Sequence, residues 1–195
     1  MSKRFYAFVP AAGLGTRLLP LTGRVPKPLL PVMGRPLLEL ALERIAALPV
    51  ETVGINLHHK PDQISAWLES SPYHGRTECF FEEVLLGTGG ALKNAASLLR
   101  NGRFLVHNSD IISDIDLNAL LKAHEDSGNL VTLAVHHYPQ FHNLAVDQGG
   151  VLGKIDDVIL NPEANRRVAF TGVAMYEPEF LDFLPTGESH VKHAW

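Results

Sequence analysis

Short apolar runs alternate with segments of helical periodicity along most of the chain. The run at residues 5–10 ends in a glycine turn, which predicts a central strand buried on both faces. Leu38, Leu42 and Ile45 lie at helical spacing after a proline that is typical of a first helical turn. The pattern predicts strands at residues 5–10, 52–57, 76–81, 103–108, 130–137 and 167–176, a hairpin over 143–155, and helices after Pro36, Pro61 and Thr88 and at 116–126.

This alternation of strands and helices predicts the fold class. A strand, a helix and a second strand form a βαβ unit, whose connections place helices on both faces of a parallel sheet. We therefore expect an α/β fold, a three-layer, Rossmann-like, open mixed sheet that is mostly parallel. With 195 residues, of which 46% are hydrophobic, the chain is long enough for one sizeable core, and residues 1–195 are interpreted as a single domain.

Composition limits the classes of partner. The 17 basic and 21 acidic residues give a net charge of −4, which gives no reason to expect binding to nucleic acid or to a membrane surface. Any site for a polyanion must therefore be local. The single cysteine, Cys79, excludes an internal disulfide. No apolar run of transmembrane length and no signal peptide is recognised, so a cytoplasmic location is expected. The sequence does not indicate the oligomeric state.

The most informative stretch, V-P-A-A-G-L-G-T-R-L, begins at the end of the first predicted strand. Gly13 and Gly15 permit a tight turn whose bare N–H groups can point at phosphate oxygens. Arg17 adds a forked guanidinium, and Lys27 adds a compact ammonium. The dinucleotide fingerprint fails because Leu18 stands where its third glycine is required, and no P-loop motif occurs. On the glycines alone, a purely structural strand-to-helix turn stays open.

A second motif, P-K-P-L-L-P-V, follows at residues 26–32 and favours a phosphate-binding loop over a purely structural turn. Together the two stretches resemble the signature of the sugar-1-phosphate nucleotidyltransferases, G-x-G-T-R-L-x-P-L-T followed by P-K-P-L-x-P-V. The resemblance implies the nucleotide-diphospho-sugar transferase fold, with a nucleoside triphosphate and a sugar 1-phosphate as partners. It also implies that Arg17 and Lys27 act on the phosphates. The residues that it assigns to nucleotide binding in the loop are Ala11, Ala12, Gly13, Gly15 and Thr16.

An aspartate follows the fourth predicted strand in the segment H-N-S-D. Asp110 should face the same crevice as the glycine loop, because ligands of open α/β sheets gather at the carboxyl ends of the strands. By itself, such an aspartate is often only a turn former or a helix cap. The resemblance instead implies that Asp110 is a catalytic residue that holds Mg²⁺, and it places Asn108 at the sugar phosphate.

Further segments complete the expected site. The run E-E-V-L-L-G-T-G-G matches the family element that lies against the nucleobase and ribose, which makes Gly87 and one of Glu82 or Glu83 candidates. The residues leave open which carboxylate points inward, and we choose Glu83. Asn143 and Gly172 match the sugar-phosphate pocket of the family, although a glycine within a strand equally marks a bulge.

The chemistry of this reaction needs few special residues. No nucleophile motif is found, since G-x-S-x-G is absent and Cys79 has no identifiable base partner. The adjacent histidines at 58–59 and 136–137 do not have the spacing of a zinc site, and no zinc is expected. A sugar 1-phosphate, with a second pKa near ~6, is already largely an anion at neutral pH, so its attack requires no general base.

The sequence departs from the family at one point. The family's second metal-binding aspartate, in a C-terminal G-x-W-x-D-x-G-T segment, is not among these 195 residues, so we expect a C-terminally shortened domain with reduced affinity for Mg²⁺. A nucleotide-binding module without turnover and a choline-phosphate cytidylyltransferase therefore stay open. An NAD-dependent oxidoreductase is disfavoured by the failed fingerprint. The resemblance is to small bacterial enzymes that act on N-acetylmuramic acid 1-phosphate with UTP, our first choice, or on mannose 1-phosphate with GTP.

Overall fold

A mixed β-sheet organises the computed structural model, which describes residues 4–141, 144–146, 151–154 and 166–195. The strands are β1 (Phe5–Pro10), β2 (Pro31–Val32), β3 (Arg35–Pro36), β4 (Val53–Leu57), β5 (Thr77–Phe81), β6 (Arg103–His107), β7 (Val131–His136), β8 (Leu144–Val146), β9 (Val151–Lys154) and β10 (Arg166–Tyr176). The α-helices are α1 (Leu37–Ala46), α2 (Pro61–Ser70), α3 (Gly87–Asn94), α4 (Ala96–Leu99) and α5 (Leu117–Ser127). Short 3-10 helices include Thr16–Leu18, Lys27–Leu29, His74–Arg76 and Pro178–Phe183.

The strand order confirms the predicted α/β fold class. Eight of the described strands form one sheet in the order β5-β4-β1-β6-β10-β8-β9, with β7 also paired to β10. The strands β5, β4, β1 and β6 are parallel to one another, whereas β10 runs antiparallel to β6, β7 and β8. The predicted strands therefore form, and the predicted hairpin is seen as the antiparallel pair β8–β9. Its residues 143, 147–150 and 155 lie outside the described residues.

Strand β1 is buried on both faces, as its apolar sequence predicts. Ala7 and Val9 pack into one core with helices α1 and α2, while Phe8 packs into a second core with α3 and α4. Each fully buried leucine or phenylalanine contributes about 1.5–3 kcal/mol through the removal of apolar surface from water. Helices thus cover both faces of the sheet, and the carboxyl ends of the parallel strands remain available for a ligand. Among the described residues, no helix has both the length and the apolar character needed to cross a membrane.

One predicted helix start differs in detail from the structure. Helix α3 begins at Gly87, and Thr88, the candidate N-cap that the sequence offers, does not cap it through its side chain, because that hydroxyl accepts a hydrogen bond from a distant segment. The helix is also interrupted at Ala95, where α4 begins. In contrast, Asp116 is the N-cap of α5, and its carboxylate accepts a hydrogen bond of 3.0 Å from the Ala119 N–H.

Strand β10 contains a bulge at Gly172, which is one of the two alternatives that the sequence leaves open for this glycine. Gly172 has a φ of 86°, and the register between β10 and β7 shifts between Phe170 and Ala174. A Cβ at this position would lie 2.8 Å from Asn108 Nδ2. Positive φ strains residues with a side chain, so glycine is required here both for the backbone and for the space.

Candidate active site

A cavity of about 360 Å³ lies at the carboxyl ends of the parallel strands. Its walls come from the start of the glycine loop, the end of β4, the segment before and at the start of α3, the turn after β6 and a C-terminal segment. The residues that line this main cavity lie at positions 10–13, 27–28, 56, 82, 85, 87–88, 91, 108–110, 188 and 190. This is the position at which an open α/β sheet binds its ligand.

The glycine loop is held in shape by a buried threonine. The Thr22 hydroxyl donates a hydrogen bond of 2.9 Å to the Gly15 carbonyl, and the ring of His59 bonds the Thr22 carbonyl at 3.0 Å. Gly15 has a φ of 63°, and a Cβ there would stand 2.7 Å from the Thr22 methyl group. The loop leads into a 3-10 turn at Thr16–Leu18 rather than into an α-helix. Gly13 has no neighbour within 4 Å of where its Cβ would be, so its backbone is open to a ligand.

A second cavity, which we call the loop cavity, has a volume of about 320 Å³ and borders Gly15, Arg17 and Leu18. Lys27 and Asp110 line both cavities. The Lys27 ammonium contacts the Asp110 carboxylate, and about a quarter to a third of each side chain remains exposed, 25% and 34%. The structure therefore brings together the three residues predicted to be catalytic at the junction of the two cavities.

A buried amide links the loop to the opposite wall. Asn56 Oδ1 accepts a hydrogen bond of 2.7 Å from the Ala11 N–H, and Asn56 Nδ2 donates one of 2.7 Å to Glu82 Oε1. The second carboxylate oxygen, Glu82 Oε2, accepts a bond of 3.1 Å from the Leu86 N–H. Both Asn56 and Glu82 are buried. Our sequence interpretation did not include Asn56, although a lone amide in the apolar strand V-G-I-N-L was the available signal.

This network corrects the choice between the two glutamates. Glu82 lines the main cavity, whereas Glu83 is exposed and lies outside the lining. The reason is the hydrogen bonding of Glu82, which fixes the first residue after β5 inward, so the next side chain points away. Ala11, Ala12, Gly13 and Gly87, which are predicted to bind the nucleotide, all line the main cavity. Thr16 is exposed and lines neither cavity.

The segment after β6 is fixed by contacts from β10. The Asn108 N–H donates a hydrogen bond of 3.0 Å to the Gly172 carbonyl, and Asn108 also lines the main cavity. Gly172, which is predicted for the sugar-phosphate pocket, is buried, lies outside this lining and contacts Asn108. His107 Nδ1 donates to the Asn108 carbonyl at 3.0 Å, and burial lowers the pKa of this imidazole, which keeps it neutral at pH 7. Asn143, predicted for the sugar phosphate, lies outside the described residues.

A C-terminal strap, residues 187–191, lies against the first turn of α3. The Ser189 carbonyl accepts hydrogen bonds from Gly89 N–H at 2.9 Å and from Gly90 N–H at 3.4 Å. The Ser189 N–H donates to the Leu86 carbonyl at 2.9 Å. The Val191 N–H donates to the Thr88 hydroxyl at 3.1 Å. Glu188 and His190 of this strap line the main cavity, and the sequence pattern gave no indication of either.

The glycines of L-G-T-G-G are required by the strap. A Cβ at Gly87 would overlap the Ser189 carbonyl oxygen, and a Cβ at Gly90 would overlap the Gly187 carbonyl oxygen. At Gly89, a Cβ would stand 2.6 Å from the Ser189 hydroxyl. These side chains are therefore absent because the backbone of another segment occupies their space.

The fold and this site define an α/β protein with a cavity at the carboxyl edge of its parallel strands, where Lys27 and Asp110 lie. A family model described as nucleotidyl transferase matches residues 6–192, so the chain belongs to the nucleotidyl transferase family.

Curated relatives extend this result. The chain is 42% identical over 128 residues to a mannose-1-phosphate guanylyltransferase of Mycobacterium tuberculosis, covering 65% of this chain and 36% of that protein. It is 32% identical over 202 residues to an N-acetylmuramate alpha-1-phosphate uridylyltransferase of Caulobacter vibrioides, covering 97% and 82%. The chain spans about half the length of several other relatives that it matches. The solved structure of UDP-glucose pyrophosphorylase from Acinetobacter baumanii superimposes with a TM-score of 0.79 over 98% of this chain and 81% of that one, at 20% identity, which supports the fold alone.

Replacement of Asn56 by alanine should destabilise the protein at the candidate site. The Ala11 N–H and the Glu82 carboxylate would each lose a buried partner, so the free energy of unfolding should fall by about 1–3 kcal/mol in urea denaturation. Asn101→Ala is the matched control, because the Asn101 amide is exposed and bonds only within its own helical segment. Equal stability of the two variants would contradict the structural role of Asn56.

Gly90→Ala should displace the strap. Because the new methyl group overlaps the Gly187 carbonyl, the free energy of unfolding should decrease by about 1–3 kcal/mol, and proteolysis near the C-terminus should become faster. Gly75→Ala is the control, since a Cβ there has no neighbour within 4 Å. A Gly90→Ala protein with wild-type stability and protection would show that the strap contact is not close.

Proposed function

We propose that this chain transfers a nucleotidyl group from a nucleoside triphosphate to a sugar 1-phosphate and releases pyrophosphate. The observation that carries the proposal is the convergence of Arg17, Lys27 and Asp110 where the main cavity meets the loop cavity. Two cations and one carboxylate beside an open glycine backbone suit a bound triphosphate. The family of the chain supports the same reaction class.

The reaction requires charge stabilisation more than proton transfer. An oxygen of the sugar 1-phosphate attacks the α-phosphorus in line, the new P–O bond forms, and the bond to the β-phosphate oxygen breaks. The nucleophile is already an anion at neutral pH, because its second pKa is near ~6. Arg17 then stabilises the departing pyrophosphate, and Lys27 neutralises the crowded oxygens of the reacting phosphates. The open backbone at Gly13 orients the phosphates, which lowers the entropic part of the barrier.

Mg²⁺ is the proposed cofactor, with Asp110 as its protein ligand. Mg²⁺ sites commonly use one or two carboxylates together with substrate phosphates and water. Asp110 fits this use because its carboxylate lines both cavities. Within the described part of the chain, no group of three His, Cys, Asp or Glu residues could hold a metal ion, so the remaining ligands would come from phosphates and water. When bound, the ion would supply positive charge to the phosphates.

The substrate pair is inferred from the relatives. We place UTP with N-acetylmuramate 1-phosphate first, because the uridylyltransferase of that name is matched over 97% of this chain and 82% of its own length. GTP with mannose 1-phosphate is second, because that relative has the higher identity, 42%, over a shorter part of the chain. A choline phosphate substrate is less compatible with the site. Its quaternary ammonium would need an aromatic cage, and the described lining of the main cavity contains no Phe, Tyr or Trp.

A nucleotide-binding module without turnover is the second candidate. It is compatible with the contact between Lys27 and Asp110, which neutralises the carboxylate proposed to hold a metal ion. The two functions differ in one observable. A module shows a nucleotide-dependent rise in melting temperature but no release of pyrophosphate.

A pyrophosphate-release screen of four nucleoside triphosphates against a panel of sugar 1-phosphates, with and without Mg²⁺, tests the proposal. We expect turnover for one pair in the presence of Mg²⁺. Arg17→Ala and Asp110→Ala should each lower kcat by about 10²–10³-fold, since each removes a charge that acts on the transition state. The exposed Arg24→Ala variant controls for general loss of positive charge. Full activity of Asp110→Ala would reject the metal assignment, and binding without turnover would favour the module.

Lys27→Met should raise the affinity for a divalent cation while it lowers turnover. Its ammonium competes for the Asp110 carboxylate, so Mn²⁺ should bind about three- to tenfold more tightly to the variant in the absence of nucleotide, as measured by electron paramagnetic resonance. Lys122→Met is the matched control, because Lys122 forms an exposed pair with Asp126 at 2.9 Å away from the site. Unchanged Mn²⁺ affinity in Lys27→Met would mean that the ion pair does not compete with the metal.

A further inference from the structure

The strap brings a carboxylate to the main cavity that the proposed reaction does not use. Glu188 lines the cavity together with Gly87 and Thr88. Its flanking residues are held from both sides, because Gly187 packs on Gly90 and the Ser189 backbone bonds α3. Within the described residues, no hydrogen bond or salt bridge is formed by the Glu188 carboxylate, and the side chain is exposed.

We propose that Glu188 binds hydroxyl groups of the ligand in the main cavity and so determines which ribose or sugar is accepted. This inference rests on the proposed function and adds a specificity residue to it. The shared chemistry is a hydroxyl, or a vicinal pair of hydroxyls, that donates to a carboxylate. Two parts of the substrates carry it, the ribose of the nucleotide and the ring of the sugar 1-phosphate.

Charge excludes the phosphates as the partner of Glu188. An ionised carboxylate only accepts hydrogen bonds, and phosphate oxygens at neutral pH are also acceptors with negative charge, so the two repel. Hydroxyl groups are the abundant donors of both substrates, and charge-assisted hydrogen bonds to them are stronger than neutral ones.

The position of the strap separates Glu188 from the loop cavity. His190, two residues after Glu188, packs against Gly87, and its Cε1 and Nδ1 lie 3.2 Å from where a Gly87 Cβ would stand. Glu188 and His190 line the main cavity, whereas the described lining of the loop cavity, which Arg17 borders, contains no strap residue. With the proposed triphosphate at Arg17, the ribose that is attached to it is the first source of hydroxyls in the main cavity. The sugar ring is the second source, which the experiment separates.

The first arm measures nucleotide binding without chemistry. Isothermal titration with UTP and GTP, and with their 2′-deoxy and 3′-deoxy forms, compares wild type with Glu188→Ala and Glu188→Gln. If Glu188 binds the ribose, Glu188→Ala should bind the ribonucleotide about ten- to a hundredfold more weakly, and the difference between ribo and deoxy forms should disappear. Glu188→Gln keeps one acceptor oxygen and should retain part of the discrimination. Glu179→Gln, an exposed carboxylate outside the lining, is the matched control.

The second arm measures the sugar. With the substrate pair found in the pyrophosphate-release screen, the KM for the sugar 1-phosphate and for its 2-deoxy and 3-deoxy analogues is compared at saturating nucleotide. If Glu188 binds the sugar ring, Glu188→Ala should raise the KM about ten- to a hundredfold for the full sugar and leave the KM of the matching deoxy analogue unchanged. A change in kcat alone would not support a binding role and would overturn this arm.

The outcomes separate the two proposals. Loss of hydroxyl discrimination in either arm, with normal behaviour of Glu179→Gln, supports Glu188 as a specificity residue and identifies which hydroxyls it binds. If wild type turns over its substrates and the Glu188 variants match Glu179→Gln in both arms, the inference is overturned while the proposed function stands. If wild type binds none of the triphosphates, the proposed function fails, and the role of Glu188 fails with it. Melting temperatures within about 2 °C of wild type, as expected for an exposed position, exclude misfolding.

Discussion

A buried asparagine on β4 links two walls of the site, because its amide bonds both the glycine loop and the segment after β5. Its amide oxygen fixes the Ala11 N–H at the start of the glycine loop, and its amide nitrogen fixes the Glu82 carboxylate across the cavity. Glu82 in turn accepts from the Leu86 N–H before α3. A buried amide with both ends paired is stable, whereas a half-paired one is strongly unfavourable, so the arrangement resists partial opening. The distance between the loop and the α3 wall is therefore set by β4.

The electrostatics of the site follow from the low overall charge of the chain. With a net charge of −4, the protein has no general field that would attract a triphosphate. Positive charge is instead concentrated at Arg17 and Lys27, beside open glycine backbone. In the structure, Lys27 pairs with Asp110, so the cation proposed for the phosphates and the carboxylate proposed for a metal ion neutralise each other. Such pairing keeps an exposed carboxylate and an exposed ammonium compatible with a stable fold, since neither is left isolated in the cavity.

Sequence analysis could predict the parts of this protein that depend on local pattern. Strand β1 was predicted from an apolar run, and the junction of Arg17, Lys27 and Asp110 followed from motifs and from the rule that parallel strands end at one edge. Prediction was poorer for side chains whose orientation is set by a contact with a distant segment of the chain. Thr88 has the composition of a cap, but its hydroxyl accepts from the Val191 N–H, and Glu82 rather than Glu83 faces inward because Asn56 bonds it. No local pattern contains these contacts, since they join residues far apart in the chain.

The difference between local motifs and long-range contacts explains why the sequence indicates the reaction class more readily than the substrate. The proposed chemistry on the phosphates uses backbone N–H groups, two cations and one carboxylate, and these are encoded in short motifs whose spacing is visible in the sequence. The rest of the main cavity is bounded instead by Asn56, by the first turn of α3 and by the strap, which meet only in the folded chain. Gly87, Gly89 and Gly90 make this meeting possible, because each lacks the Cβ that would collide with the strap. The glycine run therefore reflects a close contact with another segment rather than flexibility, and the strap that it accommodates brings Glu188 and His190 to the main cavity.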